Sequence, residues 1–308
     1  EVESSIVQYL RYWHTAKYGF VRKKDLYAEF KSRISSNRKV DLLLSELRED
    51  ARWYNTIIGK STPPKGVDDA LSAALRTHAR LNFKQGIPIL LGFAASNERA
   101  HMKRAVKILS ILYVRLFVTL SVRGSVIEAS IDDICSEIRA DPDSGMDSLK
   151  HESERLIKSY CPEMDWSTLQ VGNANVQKYL LSELWLAENR AMPFEPNQKT
   201  LQVEHVLPRK PAEGTFQEFT KVEQDIYRDH IGNLVLLLDE DNNRVSNGDF
   251  KAKTALYEEY DGDISEEEYG EERVRKDISL THRVANYSSW DKDKIREQAR
   301  YYAELAND

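Results

Sequence analysis

Across residues 1–190, apolar side chains recur at intervals of three and four in one segment after another, which commits that part of the chain to amphipathic helices. "SSIVQYLRYWHTAKYG" opens on serines and closes on glycine, the residues that cap helix ends. "KKDLYAEFKSRI", "KVDLLLSELREDARWYNTII" and "VDDALSAALRTHARLNF" repeat the spacing. "SNERAHMKRAVKILSILYVRLFVTLSVRG" has a Ser-Asn cap and ends at Gly124, and reads as one long central helix. "IEASIDDICSEIRA", "MDSLKHESERLIKSYC" and "NANVQKYLLSELWLAENR" complete an array of about eight, without a fixed-period repeat. The most apolar stretch, "ILSILYVRLFVTLSV", is interrupted by Arg115. It is shorter than the roughly 20 residues a bilayer requires, so a buried helix is expected and a membrane partner is not.

The texture changes near residue 191. "MPFEPNQKT", with two prolines, reads as a linker. Two β-like runs follow, "LQVEHVLP" and "IGNLVLLL", separated by a polar loop, and then a helical stretch, "NGDFKAKTALYEEY". "SSWDKDKIREQARYYAEL" returns to helical spacing. The expected fold is mainly α: a multi-helix domain at 1–190, then an α+β domain at 191–308. The length of 308 residues suits two domains of roughly 150 residues each.

The net charge of −6 is local in origin. Residues 257–272 hold nine carboxylates and no Lys or Arg, a run that reads as a solvated surface. The rest of the chain is slightly basic, with 44 Lys and Arg against 41 Asp and Glu. Cys135 and Cys161 form neither a disulfide framework nor a CxxC site, so a reducing cytoplasm is expected. The opening "EVESSIVQYL" lacks a basic-then-apolar leader, so no signal peptide is expected, and its missing initiator methionine points to a processed or truncated start rather than a natural one.

Most motifs reduce to structure. "GKST" at 59–62 is not a phosphate loop, because the position requiring the first glycine is Tyr54, and a helix C-cap and turn is expected. His14, His78, His101 and His151 lie on helical segments without a ligand partner at i+3 or i+4 and read as structural; His101 could add to a basic surface. His282 has no evident partner, and His230 is either a strand-end side chain or a site-lining one.

The informative set is Glu204–His205, Asn233 and Asn242. Each alone is ordinary, since Asn after Gly and "DNN" both serve turns. In order, His205 closes a short strand before Pro208, Asn233 opens the second strand, and Asn242 follows where the chain turns into a helix. This pattern resembles the HNH, or ββα-metal, nuclease superfamily. The fuller string "VEHVLPRK … HIGNLVLLLDEDNNRVSNGDFKAK" is similar to the C-terminal nuclease domain of GmrSD-type, modification-dependent restriction enzymes. "YLRYWHTAKYGFVRKKDLYAEFK" resembles the region that joins such a nuclease to an N-terminal nucleotide-binding domain, a part absent from this sequence.

The resemblance implies a DNA endonuclease acting against foreign DNA. It makes His205 the general base, Glu204 and Asn242 metal ligands, and Asn233 the residue that holds the loop. Asn243 competes with Asn242, and the Asn-x8-Asn spacing favours Asn242. An amide oxygen in place of a terminal histidine favours Mg²⁺ or Mn²⁺ over Zn²⁺. Arg209, Lys210, Arg244, Lys251 and Lys253 surround the motif as candidate phosphate contacts, Lys253 first among them for its place in the family pattern. A separation of 28 residues between His205 and Asn233 requires an insertion between the strands. One site per chain nicks one strand, so a double-strand break needs a homodimer or two events. Two other readings stand beside this one: a non-catalytic DNA-binding module on a degenerate fold, and a ribonuclease using the same chemistry.

Overall fold

Eight helices carry the described residues before Cys161: α1 (Val2–Tyr18), α2 (Leu26–Arg33), α3 (Asn37–Ile57), α4 (Asp69–Leu81), α5 (Ile87–Ala95), α6 (Arg99–Leu112), α7 (Ser125–Ala140) and α8 (Pro142–Tyr160). The computed structural model describes residues 2–118, 122–188, 201–245, 248–260 and 278–307. The linker expected at "MPFEPNQKT" and most of the acidic run lie outside the described residues. Side-chain caps set several helix starts: Asp68 accepts from the Leu71 N–H at 2.6 Å, and Asp141 from the Ser144 N–H at 2.9 Å.

The core of this part forms around α5, whose first seven residues, Ile87–Phe93, are all buried. It packs against α1, α3, α6 and α7. The long central helix expected from residue 96 onward is instead α6, which passes into a π-helical segment at Tyr113–Val118, with a new helix from Ser125. "GKST" forms the turn after α3, with Gly59 at φ 75° and its N–H bonded to the Thr56 carbonyl at 3.0 Å. Among the described residues no helix is long and apolar enough to cross a membrane.

The chain divides into two compact units, 1–162 and 163–308. The break therefore precedes the change of texture near 191, and the last helix of the expected N-terminal array, α9 (Ala174–Glu188), belongs to the second unit. That unit continues with β1 (Leu201–His205), α10 (Lys221–Tyr227), a 3-10 turn at Ile231–Asn233, β2 (Leu234–Leu238), α11 (Asp239–Val245), α12 (Phe250–Tyr257), α13 (Ser279–Ala285) and α14 (Lys292–Asn307).

The two strands pair antiparallel, from Leu201 opposite Leu238 to His205 opposite Leu234. Every residue of β2 is buried, which explains its continuous apolar run. Helices α9, α11 and α13 pack against it. Side chains close its outer edge in place of a third strand. Thr281 donates to the Leu236 carbonyl at 2.5 Å, Tyr302 donates to the Leu234 carbonyl at 2.9 Å, and the Leu238 N–H donates to the Tyr260 hydroxyl at 2.9 Å.

Candidate active site

Strand alternation turns Glu204 inward and His205 toward the surface at the end of β1: Glu204 is buried, and the His205 side chain keeps 14% of its exposure. Glu204 meets α12. Lys253 and Tyr257, one helical turn apart, both reach its Oε1 atom, Lys253 as an ion pair and Tyr257 through its hydroxyl at 3.5 Å. The Lys253 ammonium also donates to the His205 backbone carbonyl at 2.7 Å. Burial pushes the Glu204 carboxyl up and the Lys253 ammonium down, while their mutual attraction opposes both shifts. Lys253, placed by the resemblance among the catalytic residues and first among the phosphate contacts, is wholly buried and here clamps the strand end through Glu204 and the His205 carbonyl.

The His205 ring is held through one nitrogen. Its Nε2 atom lies 3.1 Å from Oδ1 of Asp229, and Nδ1 has no hydrogen-bond partner among the described residues. Asp229 in turn accepts from Arg209 Nη2 at 3.1 Å, Arg228 Nε at 3.3 Å and Gln177 Nε2 at 3.5 Å. Burial raises the Asp229 carboxyl, but the His205 hydrogen bond and the Arg209 charge outweigh it and leave the group below its ordinary range. Burial lowers the His205 imidazole, and the Asp229 hydrogen bond acts against that shift.

Asn233 is fully buried and uses its whole amide. Its Oδ1 accepts from the Leu207 N–H at 2.8 Å and from the Trp290 indole at 2.9 Å; its Nδ2 donates to the carbonyls of Leu207 at 3.0 Å and Arg228 at 2.9 Å. The chain leaving β1, the segment before β2 and the segment before α14 are thus joined through one side chain. Phe250 stacks on Trp290 with ring centroids 5.6 Å apart, which ties the start of α12 to the same point. His230 is structural: Nε2 bonds the Ser167 carbonyl at 2.8 Å, and Nδ1 accepts from the Gly232 N–H at 3.2 Å.

Asn242 lies within α11, which packs against both strands. Its Oδ1 is buried and has no hydrogen-bond partner among the described residues. Asn243 is exposed and donates to the Asp239 carbonyl at 2.9 Å. Of the two, Asn242 is the one whose amide oxygen is buried without a partner among the described residues. Arg209, Lys210, Arg244 and Lys251 are exposed; Arg209 bridges to Asp229, and Arg244 to Asp241 at 2.8 Å. Asp229, Tyr257 and Trp290 are the contributors that sequence reasoning missed. For Asp229 the available signal was an acid directly ahead of "HIGN".

No group of three or more His, Cys, Asp or Glu side chains suited to a metal ion occurs among the described residues. The oxygen donors named from the sequence are instead one carboxylate, Glu204 on β1, and one amide oxygen, Asn242 on α11. Few hard oxygen ligands of this kind suit an ion that keeps several waters.

The second unit thus holds a short antiparallel pair, a strand-end imidazole next to a buried carboxylate, and an asparagine-held loop. Residues 163–305 match the family model of the GmrSD restriction endonucleases, C-terminal domain. The match spans nearly all of the second compact unit and starts at the same residue. No curated protein matches the chain.

Proposed function

We propose that the second unit hydrolyses DNA phosphodiester bonds with an HNH-type ββα site, in a restriction system directed at foreign or modified DNA in the cytoplasm. β1, β2 and the following α11 form the ββα element. The observation that carries the reading is a strand-end imidazole, held through one nitrogen and open at the other, next in the chain to a buried carboxylate. His205 takes the proton of the attacking water, a task suited to a neutral imidazole near physiological pH.

Glu204 and Asn242 would hold a Mg²⁺ or Mn²⁺ ion. The orphaned Asn242 oxygen supports this assignment, since a buried acceptor without a partner costs about 1–3 kcal/mol. When bound, the ion supplies Lewis acidity at the scissile phosphate and neutralises charge on the leaving oxygen. Lys253 holds the Glu204 carboxylate and the His205 backbone in place, and Asn233 fixes the loop that follows. Lys210 and Lys251, with Arg209 and Arg244, supply attraction to the phosphate backbone that is independent of base sequence. An N-terminal nucleotide-binding domain of the full protein, and a homodimer for double-strand cleavage, complete the proposed assembly.

One observation favours a second reading, a non-catalytic DNA-binding module: the Lys253 ammonium already neutralises Glu204. Nicking of supercoiled plasmid with Mg²⁺ or Mn²⁺ separates the two. In the nuclease reading His205→Ala lowers nicking by about 10²–10⁴-fold with DNA affinity retained. Equal nicking by wild type and His205→Ala would end that reading, and faster turnover of an RNA strand would redirect it to a ribonuclease.

A further inference from the structure

The proposed base has two ring nitrogens, and the chemistry depends on which one carries the proton. We propose that Asp229 is the positioning residue that fixes the His205 tautomer, holding the proton on Nε2 so that Nδ1 is the atom that accepts from water. The inference rests on His205 being the base, and goes beyond it by naming the residue that orients the ring and the nitrogen that reacts.

An ionised carboxylate only accepts hydrogen bonds, so the ring nitrogen facing it must be the donor. Nε2 lies 3.1 Å from Asp229 Oδ1, and a neutral ring protonated there has its lone pair on Nδ1. Asp229 is itself held in place. Arg209 and Gln177 also donate to Oδ1, and Arg228 donates to Oδ2. Its backbone carbonyl accepts from the Val171 N–H at 2.9 Å, and the next residue, His230, bridges to Gln170. These contacts place the carboxylate before any substrate arrives, and apart from Arg209, four residues beyond His205, they come from parts of the chain remote in sequence from β1. Asparagine at this position would be nearly isosteric, but it can donate as well as accept, which frees the ring to take either tautomer.

The test joins a spectroscopic reading to kinetics. In ¹⁵N-histidine-labelled protein the protonated and bare ring nitrogens resonate far apart, and His205→Gln identifies the His205 signals by their loss. The expected wild-type spectrum at neutral pH has the proton on Nε2. Asp229→Asn is expected to give a mixture of tautomers and to slow single-turnover nicking by on the order of 10²-fold or more, as a misplaced tautomer does in hydrolytic triads. DNA affinity should stay within about twofold, because the effect lies in proton transfer rather than binding. Asp229→Glu should recover part of the rate. A wild-type ring protonated on Nδ1 would overturn the proposal without any variant having to fold. So would an Asp229→Asn protein that nicks at the wild-type rate while His205→Ala is inactive. Full nicking by His205→Ala would instead remove the base assignment itself.

Discussion

Lys253 shows how one residue type serves different ends according to its depth. On a surface it would be a mobile charge for phosphates; here it is fully buried and spans the Glu204 side chain and the His205 carbonyl. Taking both charges out of water is costly, and the pair persists because each removes the other's penalty. Lys253→Met leaves Glu204 buried without a counter-charge and is expected to destabilise the protein by about 3–5 kcal/mol in urea unfolding. Adding Glu204→Gln should recover a large part of that loss. If the single and double variants unfold at the same urea concentration, the two groups are not coupled as their geometry requires.

The 3-10 turn at Ile231–Asn233 places both β2 and the asparagine hub, and its middle residue has no room for a side chain. A Cβ on Gly232 would collide with the Ile295 carbonyl oxygen of α14 and stand 2.9 Å from the Ala299 nitrogen, both of them backbone atoms. Gly232→Ala is therefore expected to cost about 3 kcal/mol, at the upper end of ordinary overpacking. Because the turn carries Asn233, it should also reduce nicking; a thermal melt and a plasmid assay on the same sample measure both, and wild-type values would show that α14 yields freely. The loop-holding role of Asn233 followed only from the family resemblance, whereas both strands were legible in the sequence, because apolar runs bounded by Pro208 and by "GN" are local signals. Helix α5 was not: it is buried nearly all round, and "IPILLGFAA" has no polar face to reveal a period. For Asp229 the acid ahead of "HIGN" gave only a position, since its role arises when residues 170–177 fold back onto it. The change of texture at 191 is a real compositional feature, but composition does not report that α9 packs against β1, β2 and α14.

Two separate cores make separate demands on solution conditions and on chain length. In the first unit His78 is buried against the Ile57 carbonyl, and burial lowers its pKa from 6.5 to about 4, with hydrogen bonding opposing. Below pH 6.5 the unfolded chain binds this proton and the folded one does not, so stability present above pH 6.5 falls as pH drops toward 4, by about 3 kcal/mol. His78→Gln should flatten that slope in urea titrations across the same window. The second unit makes the stronger claim about chain length. Its residues 167–171 bond directly to the segment ahead of β2: the His230 ring to the Ser167 carbonyl, the Ile231 N–H to the Leu169 carbonyl, and the Val171 N–H to the Asp229 carbonyl. Helix α9 buries Val176, Tyr179, Leu180, Leu181, Leu184 and Trp185. At about 1.5–3 kcal/mol per large apolar side chain, their burial is worth on the order of 10 kcal/mol, comparable with the whole stability of a domain. A fragment of residues 163–308 is therefore expected to unfold cooperatively in urea with a native near-ultraviolet circular dichroism spectrum, and one of residues 191–308 to lack both. If the shorter fragment melted cooperatively, α9 would be an accessory to this fold and the division at 163 would have no energetic basis.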